Sequence, residues 1–224
     1  IPEDNPLTKG KIDLGKILFF DKRLSANDTI SCATCHDPEK GFADGRVIAV
    51  GIKERKGTRN SPTVLNAAFF DTQFWDGRVI TLEEQAKQPI INPNEMGMPS
   101  HDALVEKISN ISEYKTAFQA VFGTEKITID HIARAIASFE RTLISFNAPF
   151  DRFIAGEKDA ISASAQRGWK LFQGKARCVT CHEFNRSYPF FTNNKFHNVG
   201  VAMKGKDFEF LARKAASSGA DPSA

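Results

Sequence analysis

Two copies of one short motif, C-x-x-C-H, constrain this chain more than any other feature of its sequence. The first copy reads CATCH and covers residues 32–36, and the second reads CVTCH and covers residues 178–182. All four cysteines of the chain lie in these two motifs. A pair of thiols two residues apart encloses too short a loop to brace a fold, so the spacing indicates a chemical role.

The motif is the attachment signature of c-type haem. Its two thiols bond to the porphyrin vinyl groups, and the adjacent imidazole binds the iron. We therefore predict two covalently bound haem c groups. The residues that would hold them are Cys32, Cys35 and His36 at the first haem, and Cys178, Cys181 and His182 at the second, each histidine being a ligand of its haem iron.

A structural zinc site, disulfides and a thioredoxin-like dithiol are the alternatives to haem. Zinc would call for two C-x-x-C pairs about 15 to 20 residues apart, whereas these pairs lie in distant parts of the chain. A redox dithiol requires neither a histidine directly after the second cysteine nor a second copy of the motif. The duplicated motif favours haem, which is attached outside the bacterial cytoplasm, so we expect a periplasmic protein.

Charge and hydropathy exclude two classes of partner. The 224 residues include 30 basic and 27 acidic side chains, dispersed without a polybasic block, which gives no support to nucleic acid binding. No apolar run approaches the length of a membrane span. The polar opening IPEDNPLTKGK is not a signal peptide, so we expect a mature or trimmed chain.

Helical patterns dominate the sequence and predict an all-α fold of two cytochrome c-like haem domains with long loops. Apolar residues three and four apart predict a helix within residues 127–146, and further helices are expected over 102–121 and 162–174. RVIAVG, at residues 46–51, is the only strand signal. We place an N-terminal domain at 1–160, a C-terminal domain from 161 to 224, a link at 145–162 and a long loop region at 44–99.

Six segments carry a resemblance to a known family: LGKILFFDKRLSANDTISCATCHDPEKGFADG, RNSPTVLNAAF, FWDGRVITLEEQAKQPIINPNEMGM, AIASFERTL, FDRFIAGE and RGWKLFQGKARCVTCH. Together they cover most of the chain. With them the chain resembles the bacterial di-haem cytochrome c peroxidases and the related MauG enzymes, which mature tryptophan tryptophylquinone.

The resemblance implies roles for residues of the first domain. The first haem, on His36, would be peroxidatic, with Glu95 of NPNEM as its acid-base group and Gln85 of EEQA beside it. Heterolytic cleavage of hydrogen peroxide needs such a group, because a proton must move from one oxygen to the other. Trp75 of FWDGR would relay electrons between the haems, and Asn60 matches a calcium ligand.

The resemblance also implies that the second domain is the start of an electron-transfer haem domain, with His182 as its iron ligand. Family members run on past Ala224, so we expect that the chain is truncated and the second domain incomplete. The family's far-side ligand of the second haem, a methionine or a tyrosine, would lie beyond that point. Met203 is the only methionine after the second motif and is a weaker candidate for that iron ligand.

One departure from the family concerns access to the first haem. Many members carry a histidine that blocks the first iron until the second haem is reduced, and here Ile52 stands in its place. Isoleucine cannot bind iron, so we expect the first haem to be open to peroxide when both haems are ferric.

Three functions remain open at this point. The first is reduction of hydrogen peroxide to water with electrons from a small soluble donor, a c-type cytochrome or a cupredoxin. The second is a MauG-like oxidation of residues of a partner protein through a high-valent state of the two haems. The third is a non-catalytic di-haem electron-transfer cytochrome, which would have no need of Glu95. A calcium ion and a homodimer are further expectations from the family.

Overall fold

A computed structural model describes residues 1–198 of the chain. Within these residues the regular structure is helical, with isolated β-bridges and no strand. The α-helices are α1 (Lys9–Phe20), α2 (Cys32–Cys35), α3 (Leu82–Ile91), α4 (His101–Ser109), α5 (Ser112–Phe122), α6 (Ile129–Glu140), α7 (Pro149–Ala155) and α8 (Ala163–Gln173). The prediction of an all-α fold is confirmed.

The chain divides into two compact units, Ile1–Ala160 and Ile161–Ala224. In the N-terminal unit, α1 and α3 pack against α6, and α1 also contacts α2 and α5. The contact of α1 with α6 is close because Gly15 has no side chain: a Cβ there would lie 1.8 Å from the Ala135 carbonyl oxygen. The apolar core is continuous through these helices and contains Phe19, Phe118 and Ile132, all fully buried.

Polar groups fix the start of the chain to α3 and α6. Asn5 is fully buried, and its side-chain amide donates to Glu83 Oε1 at 2.6 Å and to the Arg134 carbonyl at 3.1 Å. Glu83 also accepts two hydrogen bonds from the guanidinium of Arg141, at 2.6 and 2.9 Å. Because these groups are withdrawn from water and satisfied by one another, they set the register of α3 on α6.

Two sequence predictions of helix bounds are corrected. The helix expected over 102–121 is two helices, α4 and α5, separated at Asn110 and Ile111. The helix expected within 127–146 begins after Thr128, whose hydroxyl caps it, and ends at Glu140. Its apolar pattern runs on, but the backbone of residues 143–145 pairs instead with Asn66.

Three further segments differ from expectation. RVIAVG is not a strand, since Val50 makes only an isolated bridge to Lys56 in a tight loop. The loop region 44–99 contains α3, and the expected link at 145–162 contains α7. In α3, Pro89 lies inside the helix, where it removes one backbone N–H, which explains why the sequence there looks like a loop.

The C-terminal unit is described as far as residue 198. Here α8 begins after Ser162, whose hydroxyl accepts from the Ala165 amide, and it ends at Gly174, as predicted. The ring of Trp169 stacks on Phe172 and meets Phe184 and Phe191 edge-on, which gives this unit an aromatic core. Among the described helices, none is both long and apolar enough to cross a membrane.

Candidate haem sites

The first motif forms a single helical turn, α2, that presents both thiols and the histidine on one local structure. Ser31 and Thr34 form a capping box at its start, and the His36 amide donates to the Cys32 carbonyl at 2.9 Å at its end. The His36 ring nitrogen Nδ1 lies 3.0 Å from the Pro62 carbonyl oxygen and 3.2 Å from that of Phe42. Both partners are acceptors, so Nδ1 carries the proton and Nε2 keeps its lone pair for a metal.

Burial sets the protonation of this motif. Withdrawal from water lowers the pKa of His36, which keeps the imidazole neutral. The same burial raises the pKa of the Cys32 and Cys35 thiols. None of the four cysteines is paired in a disulfide. A neutral imidazole with Nε2 left for a metal, beside two cysteines, is the donor set that covalent haem requires.

The second motif repeats the arrangement in the C-terminal unit. Cys178–Thr180 is a 3-10 turn, and the His182 amide donates to the Cys178 carbonyl at 2.9 Å. His182 Nδ1 lies 3.2 Å from the Phe191 carbonyl oxygen, so its Nε2 is also left for a metal. The two motifs therefore hold their histidines in the same way, in different units of the chain.

A cavity of about 300 Å³ opens beside the first motif, and its lining residues all belong to the N-terminal unit. Cys32, Cys35 and His36 line it, together with the predicted site residues Glu95 and Gln85. The structure thus brings the predicted iron ligand, the predicted acid-base residue and the predicted amide to one cavity. Trp75 and Asn60 line the same cavity.

Glu95 is held by a tight loop that follows α3. Its amide donates to the Asn92 carbonyl at 3.0 Å, and the Gly97 amide donates to the same carbonyl at 2.9 Å. Gly97 has φ +67°, which a residue with a side chain rarely adopts. Burial raises the pKa of Glu95, and the positive charge of Arg78 opposes that rise. A raised pKa makes the Glu95 carboxyl a better proton donor than an ordinary surface carboxylate.

Ile52 lies directly behind Glu95. Its side chain is buried, and its amide donates to the Glu95 carbonyl at 2.8 Å. A Cβ added at Gly97 would lie 2.1 Å from the Ile52 Cδ1 atom. The Ile52 side chain therefore packs directly against the backbone of the loop that carries Glu95. Ile52 therefore supports the Glu95 loop in addition to lacking the imidazole expected of a blocking residue.

Trp75 and Asn60 are joined through the backbone. The Trp75 indole N–H donates to the Asn60 carbonyl at 2.9 Å, while the ring itself is 52% exposed. The guanidinium of Arg78 lies over the Phe74 ring at 3.4 Å and donates to Asp76 and Gln88. This edge of the cavity therefore carries a fixed aromatic and cationic surface.

Sequence reasoning missed one residue of this cavity, Glu140. It lies on α6 in register with Ile136 and Ile132, four and eight residues earlier, and is 4% exposed. A glutamate on the apolar face of an amphipathic helix is the signal that could have revealed it. Met203 and the part of the chain after residue 198 lie outside the described residues.

The model of the di-haem cytochrome c peroxidase family matches residues 9–159 of the chain. The chain belongs to this family. The methylamine utilization protein MauG of Methylophilus methylotrophus is 44% identical over 91% of this chain and 60% of its own length. Cytochrome c551 peroxidase of Nitrosomonas europaea is 42% identical over 84% of this chain and 55% of its own length.

A solved structure supports the family assignment. A MauG-like protein associated with microbial copper homeostasis superposes with a TM-score of 0.77 and 33% identity, over 88% of this chain and 59% of that one. The chain thus spans somewhat more than half the length of the relatives it matches. Membership of a di-haem family, together with two C-x-x-C-H motifs, implies one haem c at each motif.

Proposed function

We propose that the protein is a di-haem peroxidase that reduces hydrogen peroxide to water at the first haem, in the cavity of His36 and Glu95. The observation that carries this proposal is that a half-buried acid-base carboxyl and the predicted iron-binding imidazole line one cavity. A cytochrome that only carries electrons has no use for such a carboxyl. When bound, the haem supplies the electron transfer, and the chain supplies position and protons.

Glu95 and Gln85 divide the work on the peroxide. Glu95 would take a proton from the peroxide oxygen nearer the iron and return it to the farther oxygen, which leaves as water when the O–O bond breaks. Two electrons from the donor and two protons from solvent would convert the nearer oxygen to a second water. The raised pKa of Glu95 suits this role, because it makes the protonated form easier to reach than in an ordinary carboxylate. Gln85 projects from α3 into the same cavity and offers an amide N–H that orients the peroxide.

His182 holds the second haem, through which electrons enter from a small soluble donor. Trp75 relays these electrons toward the first haem, since its indole lines the cavity and its N–H is fixed on Asn60. Replacement of Trp75 by Phe should slow the transfer of electrons from the reduced second haem. An unchanged transfer rate would leave Trp75 a packing role only.

Calcium and cell compartment complete the proposal. Asn60 supplies one oxygen ligand to a calcium ion, whose other ligands lie elsewhere, because calcium takes six or more oxygens. Among residues 1–198 no cluster of three or more carboxylate, histidine or cysteine side chains is placed to hold a metal. Metal analysis of the purified protein before and after chelation tests this site. The protein works in the periplasm, where the attachment of haem c is completed.

The experiment is a stopped-flow reaction of the all-ferric protein with hydrogen peroxide, read from the haem absorption. The native protein should react without prior reduction, because Ile52 provides no blocking ligand. Glu95→Gln should react about 10²- to 10⁴-fold more slowly, since it removes one general acid-base group. Glu54→Gln, the same change on an exposed loop, is the matched control and should react as the native protein does. A native protein that does not react with peroxide would contradict the peroxidase proposal and favour the non-catalytic electron-transfer cytochrome.

A second function, oxidation of a partner protein, has its own support. Two MauG proteins are 44% and 46% identical to the chain, and Ile52 leaves the first haem without the blocking histidine. The far-side ligand of the second haem separates the two functions, since methionine favours a peroxidase and tyrosine favours oxidation of a protein. Loss of a methionine-to-iron absorption band in Met203→Leu would identify Met203 as that ligand.

A further inference from the structure

Glu140 is a second carboxyl of the first haem cavity, and neither the peroxidase chemistry nor the family resemblance assigns it a role. It occupies the last position of α6 and lines the cavity together with Cys32 and Ile136. Its side chain is 4% exposed. Within the described residues its Oε2 atom is buried and has no hydrogen-bond partner. A charge in such a position is costly, so the surroundings favour the protonated form of Glu140.

The surroundings of Glu140 leave its charge uncompensated. The helices α1 and α4 contact α6 with apolar residues, among them Leu18 and Leu104. Arg141, the next residue, is committed to a bidentate pair with Glu83 of α3. Across the cavity stand the remaining charged or titratable groups, namely Cys35, His36, Arg59, Asp76, Arg78 and Glu95.

The first attachment residue lies within electrostatic reach of this carboxyl. The negative charge of Glu140 raises the pKa of the Cys32 thiol, although burial contributes more. The Cys32 sulfur would form the covalent bond that joins the chain to one edge of the haem. Glu140 and Cys32 line one cavity and both are withdrawn from water, so a charge on Glu140 is weakly screened from the haem edge that Cys32 would hold.

We propose that Glu140 takes up a proton when the first haem takes up an electron, and that this residue makes the reduction potential of that haem depend on pH. The balance is simple. One electron converts the ferric haem to the ferrous haem, and one proton from solvent converts the Glu140 carboxylate to the acid. The charge inside the cavity then stays constant, which avoids a second uncompensated negative charge in the apolar core.

The protonation range of Glu140 suits this role. Burial raises the pKa of Glu140 to about 8, with the neighbouring Arg141 lowering it and Glu83 raising it. The added positive charge of a ferric haem lowers this pKa, and reduction removes that charge. Glu140 then has a lower pKa with the ferric haem and a higher pKa with the ferrous haem. At a pH between these two pKa values, Glu140 is deprotonated in the oxidised protein and protonated in the reduced protein. Only in that interval of pH does the potential change.

The test is a spectroelectrochemical titration of the first haem in the intact di-haem protein from about pH 6 to 9. It uses no peroxide, so it depends on haem in this cavity and not on peroxidase activity. The native protein should show a potential that falls with rising pH, by at most about 59 mV per tenfold change in proton concentration. Glu140→Gln should abolish the fall. An equal slope in native protein and variant would overturn the proposal.

Glu95 is the other carboxyl in the cavity with a raised pKa, so the titration is repeated in Glu95→Gln. The slope should persist in this variant and vanish in the double variant. Loss of the slope in Glu95→Gln alone would assign the proton to Glu95 and refute the role of Glu140.

If Glu140→Gln does not assemble with haem, a second measurement decides. Reduction of Glu95→Gln, followed by infrared difference spectroscopy, should show a gain in the carbonyl absorption of a protonated carboxyl at the potential of the first haem. No gain would overturn the proposal.

Discussion

Replacement of Gly15 by alanine should separate α1 from α6 and destabilise the N-terminal unit. A Cβ at residue 15 would lie 1.8 Å from the carbonyl oxygen of Ala135 and 2.5 Å from its carbonyl carbon. Ordinary contact begins near 3.4 Å, so the helices would have to move apart by roughly 1.6 Å, the difference between 3.4 and 1.8 Å. Both contacts are with backbone, which cannot swing aside as the end of a side chain can.

The expected loss is about 3 kcal/mol of unfolding free energy. Overpacking a well-filled interface costs about 1 to 3 kcal/mol and occasionally more, and for a clash with backbone we expect about 4 kcal/mol. Alanine recovers part of this, because it is about 1 kcal/mol better than glycine inside a helix. Propensity alone therefore predicts stabilisation, whereas the packing predicts the opposite sign. For a protein of this size the loss corresponds to a Tm lower by roughly 6 to 12 °C.

Urea and thermal unfolding of the haem-loaded protein measure this effect, with Gly10→Ala as the matched control in the same helix. At Gly10 a Cβ would meet only Val121 Cγ2 at 3.3 Å, so we expect a change near zero. Because α6 carries Ile136 and Glu140 into the cavity, Gly15→Ala should also shift the absorption of the first haem. A Gly15→Ala protein as stable as the Gly10→Ala protein would refute the close packing of α1 on α6.

Two other substitutions test how the cavity is supported. Glu83→Gln breaks the buried pair with Arg141 and should cost about 3 kcal/mol in urea unfolding, while Asp13→Asn, in an exposed pair, should cost well under 1 kcal/mol. Hydrogen bonds with Arg141 lower the pKa of Glu83 in the folded protein. The stability that Glu83 contributes is therefore fully present above its pKa in the unfolded chain, and it is lost as the pH falls through its pKa in the folded protein. Glu83→Gln should therefore flatten the acid side of the stability curve, and an unchanged acid side would contradict the pairing. Gly97→Ala should lower Tm and slow the peroxide reaction, because φ is +67° and the new Cβ would meet Ile52 at 2.1 Å; a normal peroxide rate would show that the Glu95 loop adapts.

The sequence was sufficient for the parts of the site that are local. Cys32, Cys35 and His36 could be predicted because their spacing alone fits the haem edge and iron, and the second motif repeats it. The amphipathic pattern predicted α6 in the same way. Glu95 could not be derived from spacing, because its position beside His36 depends on the loop after α3 and on its contact with Ile52. It came from the resemblance to the family.

Other structural features could not be predicted because the local sequence patterns indicated a different structure. Pro89 made α3 look like part of a long loop, although the helix accommodates it near its end. The break at Asn110 divides a continuous apolar pattern and follows from tertiary packing of α4 and α5. Glu140 interrupts the apolar face of α6, and its meaning depends on the cavity that only the folded chain forms. Long-range contacts decided each of these cases, and a single sequence does not display them.

The two haem sites hold their histidines in the same way but differ in the side chains that surround them. Each histidine is fixed through Nδ1 to a backbone carbonyl, so each can bind iron through Nε2. Around His36 the chain places two carboxyls whose pKa is raised by burial, Glu95 and Glu140, and so can manage protons there. Near His182, within the part of the C-terminal unit that the structure describes, aromatic rings predominate, including Phe172 at 6.4 Å between ring centroids. Aromatic rings neither donate nor accept protons in this pH range, so this difference supports the proposal that proton transfer takes place at the first haem and electron entry at the second.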